Sequence, residues 1–196
     1  NNQDPTFNAA CLLFIAQIIH FFVLFLSLSK ILDFELPVFS KDNSDNKLSL
    51  TQAYNKGASR AIYSYLCFMH EDIIFHDVDW GEKVIDHFNA DPDIGLIGIA
   101  GGSYKSASPS SWFPPLKLYP LFPMHQRLLQ HFGDQVVLEN VNPFHENRSR
   151  VACIDGVWFC CRRQIWDKVK FDETIQGFHC YDLDFSLSVN KIARVV

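Results

Sequence analysis

The feature that most limits how this chain can fold is the alternation of short apolar runs and helical periodicity between Phe34 and Ala100. Phe34 to Ser40 reads as a strand, and Lys41-Asp42-Asn43-Ser44-Asp45-Asn46 as the polar loop after it. Leu50, Ala53, Tyr54, Gly57, Ala58, Ala61, Ile62 and Tyr65 then keep the rhythm of an amphipathic helix. Ser49 and Gln52 form a capping box at its start. Leu66 to Met69 is a short buried strand that stops at His70-Glu71-Asp72. A second helix is predicted from about Gly81 to Phe88, closed by Asp91-Pro92-Asp93. Ile94 to Ala100 is another buried strand, ended by Gly101-Gly102. Strand, helix, strand, helix, strand predicts an α/β domain built on a mostly parallel sheet flanked by helices.

The stretch from Ser103 to Glu146 breaks this order. It is rich in Pro, Ser and aromatic residues and weak in periodicity, and it reads as a long excursion over one face of the sheet, of the kind that lines a binding site. Strand character returns from Ser149 to Cys161, interrupted by Asp155-Gly156. A short helix comes next, near Arg163 to Val169, and a last one from about Tyr181 to Ile192. Ala193 to Val196 reads as a strand just starting, and the chain does not begin with Met, so a fragment is expected at one or both ends.

Ala9 to Leu28 is almost continuously apolar, which is long enough to span a bilayer. It admits two readings: a membrane or interfacial helix, or a buried helix or strand-plus-helix of the core. If it spans, Lys30 and Lys41 place the downstream domain on the cytoplasmic side. The six cysteines form no C-x-x-C pair and sit mostly in apolar runs, so they read as buried thiols of a reducing compartment. A formal net charge of -5 argues against nucleic acid as a partner. It is compatible with a nucleotide diphosphate if a divalent cation lies between the two sets of negative charge.

Several short motifs carry candidate chemistry. His70-Glu71-Asp72 comes directly after a strand, where carboxylates face a ligand while the strand fixes their position, so His70, Glu71 and Asp72 are candidate ligands for Mg2+ or Mn2+. A polar loop that only ends a strand explains the triplet equally well. Asp182-Leu183-Asp184 opens the last helix. Acidic residues are favoured there by the helix dipole, and the same field is expected to lower a carboxylate's pKa and keep it ionised, as a general base requires. A phosphatase of the D-x-D type is a rival reading, but its motif belongs after the first strand. His179 is either a ligand or a plain loop histidine. Asp155-Gly156 is a turn or part of a site. Of Trp158 and Phe159, one is expected in the core and one against a sugar.

Taken together these residues resemble the family-2 inverting glycosyltransferases, in particular a bacterial branch whose metal motif reads His-x-Asp. The resemblance rests on Val38 to Ser44, on Ala53-Tyr54-Asn55-Lys56-Gly57, on Phe68-Met69-His70-Glu71-Asp72, and on Phe171-Asp172-Glu173 with Gly177 to Asp184, in that order. It implies the GT-A type of fold over residues 34–196 as a catalytic domain, with residues 1–33 as an apolar N-terminal segment, either a core helix or membrane-associated. It implies transfer of a hexose from a UDP- or GDP-linked donor to a glycan, lipid-linked or protein acceptor, with inversion. Asp72 would hold the metal and Asp182 would be the base. Asp42, Asn55 and Gly57 would hold the nucleotide. Asp155, Gly156, Trp158, His179 and Asp184 would line the sugar sites. A cytoplasmic enzyme of surface polysaccharide assembly, at the membrane face, is the matching setting. The departures are His70 for the first metal Asp, Tyr54 for a common Arg, Tyr181 for the first acid of a Glu-Asp pair, and the family's first strand, whose place the apolar run takes. The alternative is a sugar-nucleotide or glycan-binding module that keeps the fold without turnover.

Overall fold

A computed structural model describes residues 9–15, 38–42, 48–70, 72–119 and 121–196, giving the backbone alone for 9–15, 38–42 and 116. β1 (Ala9–Ile15) and β2 (Val38–Asp42) are followed by α1 (Leu50–Arg60), β3 (Tyr65–Met69), α2 (Trp80–Ala90), β4 (Ile94–Gly98) and β5 (Ala100–Gly102). A 3-10 turn at Leu116–Leu118 leads to β6 (Met124–Phe132) and β7 (Gln135–Val141). Then come β8 (Cys153–Ile154), β9 (Trp158–Arg162), α3 (Arg163–Val169), α4 (Tyr181–Val189) and β10 (Arg194–Val195).

The main sheet has six strands in the order β10-β4-β9-β3-β1-β2. β1 runs parallel to both β2 and β3, and β10 parallel to β4. β9 lies between β3 and β4 and is antiparallel to both. A second sheet, β7-β6-β5-β8, is antiparallel throughout. The sheets are therefore mixed, which corrects the expectation of a mostly parallel sheet. β8 and β9 run in the same sense, both antiparallel to the β4–β5 stretch, so the turn at Asp155-Gly156 only carries the chain from one sheet to the other. The chain reverses in the excursion between β5 and β8, which has no α-helix among its described residues, and a parallel return needs a crossover.

β3 shows how the sequence builds the floor. Leu66 and Phe68 face one side and Cys67 and Met69 the other, and all four are buried. The first side carries α1, α3 and α4, packed through Leu50, Ala53, Tyr54, Trp166, Phe185 and Val189. The second carries α2, through Trp80 and Phe88. A fully buried strand of this kind reads as a continuous apolar run, which is what Leu66 to Met69 is. At its centre Phe68 meets Tyr54 at 5.0 Å, Phe159 at 5.2 Å and Phe171 at 4.9 Å between ring centroids.

Local rules set the helix boundaries. The capping box is present: Ser49 accepts from the Gln52 amide, and the Ser49 amide donates to Gln52 Oε1 at 3.0 Å. α1 stops at Arg60, short of Tyr65, because Ala61 is extended and Tyr65 already belongs to β3. Cys67, Cys153, Cys160 and Cys161 are buried thiols, whereas Cys180 is exposed. Burial pushes the Cys153 thiol up to about 11.

The first seven residues of the N-terminal apolar run are β1, at the interior of the main sheet, which supplies the strand missing from the sequence reading. Residues 16–28 of that run lie outside the described residues. Among the described residues, no helix is long and apolar enough to cross a membrane. The excursion from Ser103 to Glu146 contains a regular feature the sequence reading lacks, the β6–β7 hairpin, turned by Gly133-Asp134 with Gly133 at φ 60°.

Candidate functional site

Four parts of the chain meet beyond the carboxyl end of β3, and the Tyr181 side chain ties three of them together. Its hydroxyl donates to the Gly156 carbonyl at 3.1 Å and lies 3.2 Å from His70 Nε2. Tyr181 is the first residue of α4, Gly156 belongs to the β8–β9 turn, and His70 is the residue directly after β3. Tyr181 is 4% exposed. Burial, then the neighbouring Tyr54, Asp182 and Asp155, push its phenol well above the ordinary value. It therefore stays neutral and keeps its proton for donation. A Cβ on Gly156 would collide with the Tyr181 hydroxyl, so glycine here makes room for the tyrosine. Tyr54 fixes the same strand end from below by donating to the Met69 carbonyl at 3.1 Å. The two tyrosines that depart from the resembled pattern are thus both structural parts of the site.

Asp182 comes directly after Tyr181 and is half-buried, its Oδ1 accepting from the Leu183 amide at 2.9 Å. The helix dipole alone predicts a lowered pKa. The direction is instead upward, because burial outweighs the local hydrogen bonds and the Asp155 carboxylate adds repulsion. Asp155 is held from two sides. Trp112 Nε1 donates to Oδ2 at 2.7 Å, and the Val157 amide to Oδ1 at 2.8 Å. Ser186, buried in α4, donates to the Asp182 carbonyl at 2.6 Å and accepts from the Ile154 amide at 3.2 Å, locking α4 to β8.

The remaining sequence-predicted residues divide. His70, Asp155, Gly156 and Asp182 come together. Asp72 is exposed just beyond His70, and Glu71 lies outside the described residues. Among the described residues, no three His, Cys, Asp or Glu side chains group as a metal site. Asp42 ends β2, with its side chain outside the described set. Asn55 bonds within the protein on all sides. Its nitrogen donates to the Phe171 carbonyl and to Glu173 Oε1, both at 2.9 Å, and its oxygen accepts from Trp166 Nε1 and the Phe171 amide. That is the full capacity of a primary amide. Gly57 sits half-buried within α1, which packs on β1 and β2. His179 is exposed in the loop before α4. Asp184 turns away from Asp182: burial and Asp172 raise its pKa, and Lys191 opposes them.

The sequence divides Trp158 and Phe159 between the core and a sugar contact. Both are core residues, Trp158 at 3% exposure against Trp80 and Phe159 fully buried. Sequence reasoning missed Trp112, whose one available signal was a tryptophan inside an otherwise Ser- and Pro-rich loop.

The sequence model of the family described as "Glycosyltransferase like family" matches residues 27–196. No curated protein matches the chain. Among solved structures, GalNAc-T7 with UDP, GalNAc and Mn2+ is similar at a TM-score of 0.64 and 11% identity, over 98% of this chain and 42% of that one. The Pyrobaculum calidifontis mannosyltransferase PcManGT, in complex with GDP-Man and Mn2+, is similar at 0.58 and 11%, over 96% and 54%. S. aureus TarS is similar at 0.54 and 12%, over 96% and 58%. The chain thus spans about half the length of these solved proteins. At such identities the likeness establishes a shared fold, an α/β architecture of the GT-A type.

Proposed function

Because the chain belongs to the glycosyltransferase-like family, we propose that it carries the donor site and the catalytic carboxylate of a transferase acting from a nucleotide-diphosphate sugar onto a hydroxyl acceptor, with inversion. The observation that carries this reading is the convergence of His70, Gly156 and Tyr181 through one hydroxyl, beside the Asp155 and Asp182 carboxylates.

Asp182 is the base. Its raised pKa, caused first by burial, makes it a stronger proton acceptor than an exposed aspartate. The acceptor O–H proton passes to an Asp182 oxygen as the acceptor oxygen bonds the anomeric carbon. The bond from that carbon to the diphosphate oxygen breaks, and its electron pair leaves with the nucleotide diphosphate. Asp155, held by Trp112 and the Val157 amide, keeps the negative field that sustains the basicity of Asp182. Tyr181 sets the spacing between the donor side, at His70, and the base. Asn55 works indirectly in this account, by holding Phe171 and Glu173 against α1.

The donor chemistry of the strand end fits a divalent cation, since an imidazole beside a carboxylate suits Mn2+ better than Mg2+, which favours oxygen alone. His70 and Asp72 would hold it, and it would neutralise the leaving diphosphate. UDP- and GDP-linked hexoses are the donor classes proposed, and a glycan, lipid-linked or protein hydroxyl the acceptor.

The test is release of nucleotide diphosphate from UDP-glucose, UDP-galactose, UDP-N-acetylglucosamine and GDP-mannose in the presence of Mn2+. Release from at least one donor, lost in Asp182→Asn while nucleotide binding persists, supports the reading. Binding without release from any donor would make the chain a non-catalytic module of the same fold.

A further inference from the structure

The loop after β5 carries two adjacent aromatic rings with opposite fates. Trp112 is 6% exposed and packs with Ala100, Cys153 and Leu183, whereas Phe113 is 51% exposed. The two rings stack, with centroids 4.0 Å apart and planes 22° from parallel. One face of Phe113 is thus covered by Trp112, and the rest of the ring is turned toward solvent. A single exposed phenylalanine is ordinary on a protein surface. This one differs in what stands behind it.

The support is anchored at three points. Trp112 Nε1 donates to Asp155 Oδ2 at 2.7 Å. The Trp112 carbonyl approaches Gly102 so closely that a side chain at 102 would collide with it. Lys105 ties the preceding turn by donating to the Ser106 carbonyl at 2.9 Å, the Ser108 carbonyl at 3.2 Å and Ser110 Oγ at 2.9 Å. Leu183, the neighbour of Asp182, packs in the same cluster as Trp112. Phe113 is thus linked to the side of the base through Trp112, which holds Asp155, the carboxylate whose charge acts on Asp182, and which shares its cluster with Leu183.

We infer that Phe113, backed by Trp112, is the stacking platform for a monosaccharide ring of the acceptor. The inference rests on the transferase reading for the role of Asp182. A pyranose presents one face of C–H bonds and a rim of hydroxyls, so it matches an apolar ring beside carboxylates. Trp112 packs with Leu183, whose amide holds the carboxylate that takes the acceptor's proton, and this selects the acceptor. Specificity for the acceptor sugar then depends on how a ring on Phe113 presents one hydroxyl to Asp182.

The test is saturation-transfer NMR on the chain with methyl glycosides of glucose, galactose, mannose, N-acetylglucosamine and rhamnose, each alone and with UDP or GDP plus Mn2+, and in parallel samples with UDP-glucose or GDP-mannose plus Mn2+. At least one glycoside should bind through the C–H protons of one ring face. Phe113→Ala should weaken that binding about tenfold, and Phe113→Trp should restore it. Binding unchanged in Phe113→Ala, no binding by any glycoside in any state, or Phe113-dependent saturation only in the sugar of UDP-glucose or GDP-mannose would each overturn the inference. Nucleotide binding in the same samples separates the two claims. Glycoside binding without it leaves the platform standing and removes the transferase reading. Nucleotide binding without glycoside binding does the reverse.

Discussion

The two sheets of this protein are stabilised in different ways. In the main sheet, β3 and β9 are buried on both faces under helices, and Phe68, Phe159, Phe171 and Phe185 form one contiguous aromatic packing. In the second sheet, the β6–β7 hairpin leaves Leu129, Phe132, Val136, Val137 and Leu138 exposed. Its cross-strand pairs put Leu129 with Leu138 on one face and Gln130 with Val137 on the other, so neither face is fully covered. A two-stranded ribbon of that kind contributes little to global stability. The site lies where the two regimes meet. The proposed base Asp182 and Tyr181 stand on α4, packed on the buried main sheet, while Trp112 and Phe113 come from the loop that feeds the exposed one. For the proposed transferase, this division would provide a firm catalytic floor with a separately variable acceptor rim.

The contrast can be tested from its strongest point downward. Phe68→Ala should lower the stability of the main sheet by about 3–5 kcal/mol, measured by denaturant unfolding. A loss under about 1 kcal/mol would mean that the aromatic packing is not what holds the floor. Asp182→Asn should reduce kcat by roughly 10²- to 10⁴-fold with little change in nucleotide affinity. Its effect on stability should have the opposite sign. The folded pKa of Asp182 is raised, so the folded state binds the proton more tightly, and the stability this gives is present at low pH and lost as pH rises through the raised pKa. Removing the charge should therefore raise Tm at neutral pH and leave it nearly unchanged at about pH 3. The acid limb of kcat/KM should lie above the usual aspartate value of about 3.9, and disappear in the variant.

Gly156→Ala should cost about 1–3 kcal/mol by forcing Tyr181 aside, and should impair turnover although no catalytic group is altered. Retained turnover would show that the link from Tyr181 to His70 is incidental. Leu138→Thr on the hairpin marks the small end of the scale, within about 0.5 kcal/mol. A larger loss there would mean that the hairpin is covered in solution and that the contrast between the sheets is wrong.

Burial also decides what the amino-acid sequence discloses. α1 was legible because Ser49 and Gln52 cap it and its buried face repeats, and β3 because both of its faces are apolar. The β6–β7 hairpin was not, since residues exposed on both faces leave no period-two pattern, and only Gly133-Asp134 signals its turn. β9 was legible as a strand but not in its direction, which depends on how the excursion between β5 and β8 returns the chain and not on its own residues. His70 and Asp182 could be singled out from their places at element ends. Their connection through Tyr181 and Gly156 spans 111 and 25 residues of chain and is visible only once the strands are paired. The rise in the pKa of Asp182 was hidden for a related reason: the helix dipole is a local property, while the burial that outweighs it is made by distant residues.

The central claim is that the carboxyl end of β3 is a cation-dependent nucleotide site beside a half-buried base. Calorimetric titration of UDP and GDP into the chain, with and without Mn2+, tests it most directly. Binding of one nucleotide that requires Mn2+, is lost in Asp72→Ala and persists in Asp182→Asn is the predicted result. Binding of neither nucleotide under any condition, or binding indifferent to both Mn2+ and Asp72, would contradict the account.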